Sequence, residues 1–210
     1  MSDSTVIRDV PLFPLHTVLF PGGLLPLRVF EARYLDMVRD CLREERPFGV
    51  CLIESGHEVA SETAPAASTV TAEIGCLASI LDCDMEQLGL LLLRTRGGQR
   101  FHTLAVRTET SGLMRADIAL LNDDLPDCNP NLLLECTTAL RRIVAALSSK
   151  NDIESPFLEP YQWEDAVWIS NRLCEILPIP LKAKQKLMAL EDAGMRIEIV
   201  HRFMKQHAIL

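Results

Sequence analysis

The residues with the clearest chemical potential in this sequence are a cysteine and a histidine in neighbouring predicted strands, Cys76 and His102. A thiolate beside an oriented imidazole base can act as a nucleophile when the pKa of the thiol is depressed. If the two strands pair, these side chains could face each other. Buried cysteine more commonly serves as a small hydrophobic residue. The sequence therefore favours a structural thiol and leaves a small thiol or hydrolytic enzyme as the alternative.

A second group of charged and aromatic side chains falls close together in the sequence: Arg28, Glu31, Arg33 and Tyr34. Glu31 is at the predicted start of a helix, where a carboxylate interacts favourably with the helix dipole and can pair with a neighbouring arginine. Such hydrogen bonds favour a locked junction between a strand and a helix. The alternative is the polar lip of a groove that binds peptide, and in that case Phe20 and Leu24 line the groove.

The cysteines do not have the spacing of a metal site. There are seven, none in a CxxC pair, and most are embedded in apolar runs. Cys76 with Cys83 and Cys128 with Cys136 are too far apart for the close spacing of structural zinc ligands. We therefore expect no metal and no cofactor, and the pattern is typical of reduced thiols in a cytoplasmic protein.

Common catalytic motifs are absent from the sequence. It contains no GxxxxGK[ST] loop for ATP phosphates, no GxSxG elbow and no HExxH zinc motif. Ser149 and Lys150 are adjacent, but a nucleophile and its base need a specific geometry that sequence neighbours do not provide. The sequence predicts a non-catalytic protein.

Charge and hydropathy exclude further classes of function. The net charge of −8 argues against broad binding of nucleic-acid phosphates, which requires clustered Lys and Arg. No apolar run is long enough to span a membrane, and the first residues lack the pattern of a signal peptide. We therefore expect a cytoplasmic protein that does not contact membranes.

The predicted elements that position these side chains are mostly short strands up to about residue 122 and helices beyond it. Residues 10–34 combine four prolines and a Gly-Gly pair with an apolar background, which predicts short extended pieces joined by turns. Further short strands are predicted at residues 48–53, 73–81, 88–93, 101–106 and 113–121, with a helix at 34–42. Residues 96–98 are interpreted as a turn, 55–69 as a long exposed loop and 90–93 as a strand buried on both faces.

Beyond residue 122 the apolar spacing becomes helical. Helices are predicted around residues 133–147, 163–177, 181–190 and 195–206. Short connections favour antiparallel neighbours and hence a small bundle. We therefore expect two subdomains, one of residues 1–122 and one of residues 123–210.

The opening segment resembles the signature of the Lon protease N-terminal, substrate-binding domain family. The similar stretches are PLFPL at 11–15, VLFPG at 18–22, LPL at 25–27 and FEARY at 30–34. Weaker similarity follows in EIGC at 73–76, GQRF at 98–101 and in residues 177–187. The resemblance implies an α+β fold: a PUA-like β-barrel with one inserted helix, followed by a small C-terminal helical bundle. The length is similar to that of stand-alone members, without the ATPase and peptidase.

The resemblance also implies a function. It implies binding of unfolded or partly exposed polypeptides, or of a protease or chaperone partner, in proteolysis or protein quality control. An RNA-binding module is the alternative, since PUA-like folds also occur in RNA-associated proteins, although a fold is a weak basis for function.

Overall fold

Seven strands and five helices make up the described part of the chain, which is residues 5–58, 69–148 and 155–210 of a computed structural model. Residues 59–68 of the predicted loop, as well as Ser149 and Lys150, lie outside the described residues. The chain divides into two compact units, residues 1–122 and 123–210. The strands are β1 (Val6–Leu15), β2 (Leu24–Val29), β3 (Phe48–Ser55), β4 (Val70–Thr71), β5 (Ile74–Gln87), β6 (Leu90–Thr108) and β7 (Met114–Leu120).

Strands of the first unit close into a barrel-like ring. The order is β1, β7, β6, β5 and β3, all antiparallel neighbours, and β3 returns to pair in parallel with β1. One packed cluster of ring residues holds Leu12, Phe101 and Ile118, each fully buried. Gly49 and Gly75 leave room for the Phe101 ring, because a Cβ on either glycine would overlap it. The ring confirms the predicted barrel-like fold.

β6 is longer than the sequence suggested, and this corrects one prediction. The predicted turn at residues 96–98 is wrong, because the strand continues through it. Gly97 is needed for close backbone approach: its N–H donates to Gly23 O at 2.9 Å, and its carbonyl accepts from Gly22 N at 2.8 Å. A Cβ on Gly97 would overlap the carbonyl oxygen of Phe20.

The extra length of β6 builds a three-stranded extension in which β2 pairs with one side of β6 and β5 with the other. Leu90 and Leu93 are buried, whereas Leu91 and Leu92 are half-buried. The prediction that residues 90–93 are buried on both faces is therefore wrong. Several residues of β5 and β2 in this extension are exposed, unlike the residues of a parallel sheet that is covered on both faces.

Helix α1 (Ala32–Glu44) packs its apolar face on the strands. Tyr34, Met37, Val38 and Cys41 recur at helical spacing and are buried in the same cluster as β2 residues such as Val29. The helix ends at Glu45, whose left-handed backbone conformation stops it. This is the inserted helix that the sequence predicted.

The second unit is helical, as predicted. Its helices are α2 (Pro130–Ser148), α3 (Ala166–Ile176), α4 (Leu181–Ala189) and α5 (Ala193–Gln206). Asp165 and Asp192 cap α3 and α5, since their carboxylates accept from backbone N–H groups of the first turn. α3 is buried along most of its length and contacts α2, α4 and α5. Its buried residues include Arg172, which is fully enclosed.

Candidate functional site

An apolar cleft lies in the first unit between β2 and the end of β1. Its volume is about 180 Å³. The side chains that line it come from β1, β2, the start of α1 and the segment after β3: Phe13, Leu15, Pro26, Leu27, Arg28, Val29, Phe30, Glu31, Tyr34 and Glu58. Most are apolar, and the charged ones are few, which is the composition of a binding pocket.

The position of β2 explains why the cleft is open on one side. Within the described sheet β2 pairs with β6 alone, so it is an edge strand. Leu27 and Val29 turn into the core, while Pro26, Arg28 and Phe30 are exposed, as the two-residue period of a strand requires. Proline suits such a strand because it lacks the N–H that a central strand must donate.

Aromatic rings form the floor of the cleft. Phe13 and Tyr34 stack with their ring centroids 4.1 Å apart and an angle of 16° between planes. Phe48 also packs against Phe13, with ring centroids 6.0 Å apart and an angle of 43° between planes. Burial raises the pKa of Tyr34 to about 12, so its phenol is neutral near pH 7. The floor is therefore apolar and carries one neutral hydroxyl group.

Charged groups at the rim fix the junction between β2 and α1. Arg33 is buried, pairs with the Glu31 carboxylate at 2.9 Å, and donates to Gly112 O at 2.9 Å and Glu58 O at 3.3 Å. The carboxylate of Glu58 accepts from the backbone N–H of His16. Arg33 thus joins the start of α1 to two separate loops, as the interpretation of a locked junction requires.

The predicted binding residues have different surroundings in the structure. Arg28, Glu31 and Tyr34 line the cleft, and Arg33 lies behind it. Leu24 is half-buried and is not among the lining residues. Phe20 is fully buried, so it has no exposed surface to offer a ligand. It is a core residue whose backbone contacts Gly97.

The sequence interpretation missed most of the apolar lining. It did not select Phe13, Leu15 and Phe30, although all three stand in the resembling stretches of the opening segment. Phe30 directly follows β2, and extending the apolar and polar alternation of Leu27, Arg28 and Val29 by one residue would have placed its side chain on the outer face. Glu58 gives no such signal, because its contact with Arg33 spans 25 residues of the chain.

The structure does not bring Cys76 and His102 together as a catalytic pair. Across β5 and β6, Cys76 is opposite Arg100, and His102 is opposite Ile74. Cys76 is fully buried, with its Sγ 3.3 Å from Gly98 O, whereas His102 is partly exposed and lies 3.5 Å from the carboxylate of Glu73. These surroundings are those of a structural thiol and a surface histidine.

Other thiols in the described residues are poor nucleophiles. All seven cysteines are free, and burial raises the pKa of Cys51, Cys136 and Cys174 to about 12. Among the described residues no three His, Cys, Asp or Glu side chains are grouped to hold a metal ion. No helix within the same residues has the length and apolar character needed to cross a membrane.

The first unit therefore combines a ring of strands with an apolar cleft beside an edge strand. The chain matches the model of the ATP-dependent protease La (LON) substrate-binding domain over residues 9–206, and it belongs to this family. Membership supports substrate or partner binding as the general role. It confirms the resemblance recognised in the opening segment.

Solved structures agree with this assignment. The crystal structure of a Lon N-terminal domain protein from Xanthomonas campestris is 34% identical, with a TM-score of 0.72 over 92% of this chain and 97% of that one. The N-terminal domain of a Lon protease from the Mycobacterium avium complex is 12% identical, with a TM-score of 0.65 over 95% of this chain and 100% of that one. The second likeness shows the fold alone.

Curated relatives include cereblon proteins. The chain is 27% identical to protein cereblon of Danio rerio over 132 residues, which is 60% of this chain and 29% of the relative. It is 25% identical to protein cereblon of Gallus gallus over 169 residues, or 79% of this chain and 33% of the relative. The chain thus spans about a third of the length of these relatives.

Proposed function

We propose that this protein is a non-catalytic binding protein that captures extended polypeptide segments in the cleft beside β2. The observation that carries the proposal is an apolar cleft of about 180 Å³ running along an edge strand. Family membership supports a polypeptide as the ligand, and its name links the role to proteolysis. The protein would deliver or hold exposed segments for a protease or chaperone partner in protein quality control.

Strand addition is the binding mode that the cleft favours. An extended peptide can pair with an exposed sheet edge, gaining affinity from main-chain hydrogen bonds and specificity from pockets for alternate side chains. β2 has one free edge in the described sheet, and the pocket lies beside it. Leu27 and Val29 already supply part of the pocket wall. Backbone and side-chain recognition can therefore occur at the same place.

The opposite edge of the extension is less suited to a peptide. This edge is the part of β5 that follows its pairing with β3. There the backbone N–H of Cys83 donates to the Asp82 carboxylate at 3.0 Å, and that of Met85 donates to the Asp84 carboxylate at 2.8 Å. A carboxylate on the backbone donor competes with an incoming strand, and charged residues commonly protect exposed edges. This contrast supports β2 as the edge that receives the ligand.

The test is a binding titration of the full chain with a fluorescently labelled polypeptide that is held unfolded by alkylation of its cysteines. We expect saturable binding that the Phe30→Ala variant weakens by about fivefold, since about 1 kcal/mol of apolar contact is lost. Phe30 is 56% exposed, so the substitution leaves the fold intact.

Leu104→Ala is the matched control, because Leu104 in β6 is 54% exposed, close to the 56% of Phe30, and is not among the residues that line the cleft. It should bind like the wild type. Absence of binding to the unfolded polypeptide would overturn the proposal, and so would an equal loss in the two variants. Salt-sensitive binding of RNA in a parallel titration would instead favour the RNA-binding alternative.

A further inference from the structure

The size of the cleft limits what part of a polypeptide can enter it. A volume of about 180 Å³ is close to that of the apolar cavity of about 150 Å³ that holds one benzene molecule. The cleft therefore accommodates one large side chain rather than a run of them. Its floor is the stacked pair of Phe13 and Tyr34, and aromatic rings pack well on such a surface in offset or edge-to-face contact.

Three charged side chains line the cleft, and two of them, Arg28 and Glu31, form ion pairs within the protein. Glu31 pairs with Arg33 beneath the rim, and Arg28 pairs with Glu86 at 3.0 Å outside the cleft. Glu58 also lines the cleft, and it takes part in none of the ion pairs formed among the described residues. Its carboxylate accepts a backbone N–H from His16, while the Arg33 guanidinium donates to the Glu58 backbone carbonyl and pairs with the carboxylate of Glu31 instead. A cation on the ligand would complement this charge.

From these two observations we propose that the cleft selects extended segments in which one aromatic side chain and a Lys or Arg lie two residues apart. This deepens the proposed function and rests on it. Side chains two residues apart point to the same face of an extended strand. The aromatic ring then enters the cleft over Phe13 and Tyr34, and the cation reaches the carboxylate of Glu58.

The experiment uses a labelled peptide, Ala-Ala-Phe-Ala-Lys-Ala-Ala, titrated with the full chain and followed by fluorescence anisotropy. Replacing Phe by Ala should weaken binding at least tenfold, because an aromatic side chain loses its burial. Replacing Lys by Glu should weaken binding by about fivefold, since an attraction of the size of an exposed ion pair becomes a repulsion.

Two protein variants assign these effects to the cleft. Glu58→Gln removes the charge at nearly constant shape, and it should abolish the preference for the Lys peptide over the Glu peptide. Glu54→Gln is the matched control, because Glu54 is an exposed glutamate in β3 that does not line the cleft. It should retain the preference of the wild type.

The outcomes separate this inference from the proposed function. If the unfolded polypeptide binds but the three peptides bind equally, the inference is wrong and the proposed function stands. Tighter binding of the Glu peptide, or an unchanged preference in Glu58→Gln, would also overturn it. If neither the polypeptide nor any peptide binds, the proposed function itself is wrong.

Discussion

Arg33 in the first unit and Arg196 in the second are both buried and ion-paired, but their surroundings differ. Arg33 in the first unit pairs with Glu31, which lines a cleft that is open to solvent. Arg196 in the second unit pairs with Asp124, and both side chains are almost completely buried. The first pair therefore lies at a surface where a ligand can approach. The second is enclosed, and we attribute it to architecture.

The partners of Arg196 account for this attribution. Its Nε donates to Ser170 Oγ at 3.0 Å, its Nη1 donates to the carbonyls of Leu187 and Leu190, and its Nη2 donates to Asp124. Every nitrogen of the guanidinium is thus engaged within the unit. These bonds use four of the five N–H donors of a side chain that is only 1% exposed, so the guanidinium holds the surrounding elements in one arrangement and offers almost no surface to a ligand.

Removing Arg196 should have the largest effect on stability. Arg196→Met removes the guanidinium that pairs with the buried Asp124 carboxylate, and we expect a loss of about 3–5 kcal/mol in the free energy of unfolding. Urea denaturation followed by circular dichroism measures it. Arg202→Met on the exposed side of α5 is the control and should change little. Equal free energies of unfolding for Arg196→Met and the wild type would mean that the enclosed Arg196 pair does not stabilise the second unit, and that it does not differ in this way from the Arg33 pair at the cleft.

The second largest effect on stability is expected at Gly97 of β6, which packs against the backbone of Phe20. Gly97→Ala would force a Cβ into the Phe20 carbonyl, and we expect a loss of about 1–3 kcal/mol from overpacking. Gly98→Ala is the control in the adjacent position, since its Cβ would be 3.5 Å from the nearest atom, Leu77 O. If both variants unfold at the same urea concentration, close backbone approach does not explain Gly97.

The pH dependence of stability tests the enclosed charges of the second unit. Burial raises the pKa of Glu175 to about 7, although the guanidinium of Arg172, 2.7 Å away, opposes the rise. In the unfolded chain the same carboxyl titrates near 4.5. Between these values the folded state binds the proton more tightly, so the contribution of Glu175 to the free energy of unfolding falls as pH rises.

Glu175→Gln should therefore show a shallower decline in stability than the wild type between pH 5 and pH 7. Urea denaturation at several pH values gives both slopes. Parallel slopes for the two proteins would mean that Glu175 titrates alike in the folded and unfolded chains.

The smallest effect is expected at the exposed rim of the cleft. Arg28 pairs with Glu86, but their side chains are 68% and 47% exposed. Such pairs contribute about 0–1 kcal/mol, so Arg28→Ala should leave thermal unfolding nearly unchanged. A loss comparable to that of Arg196→Met would show that the rim is structural after all, and would weaken the comparison on which the binding proposal depends.

Local patterns predicted much of the fold. Short apolar runs bounded by turn residues predicted most of the strands, and helical spacing predicted the helices, because each pattern reflects how one element buries its own side chains. They failed at Gly97, where a Gly-Gly pair typical of turns serves close approach inside a continuous strand. The site was predicted in part: Arg28, Glu31 and Tyr34 line the cleft, whereas Phe20 is buried.

The sequence by itself determined the family, the α+β class and the change from strands to helices after residue 122, because these depend on motifs and periodicities that lie within short stretches of chain. Only the tertiary structure decided which residues form the cleft. Phe13, Val29 and Glu58 come from separate segments and meet because β1 closes the ring while β2 remains at an edge. Contacts between distant segments depend on strand pairing, which a local pattern does not specify.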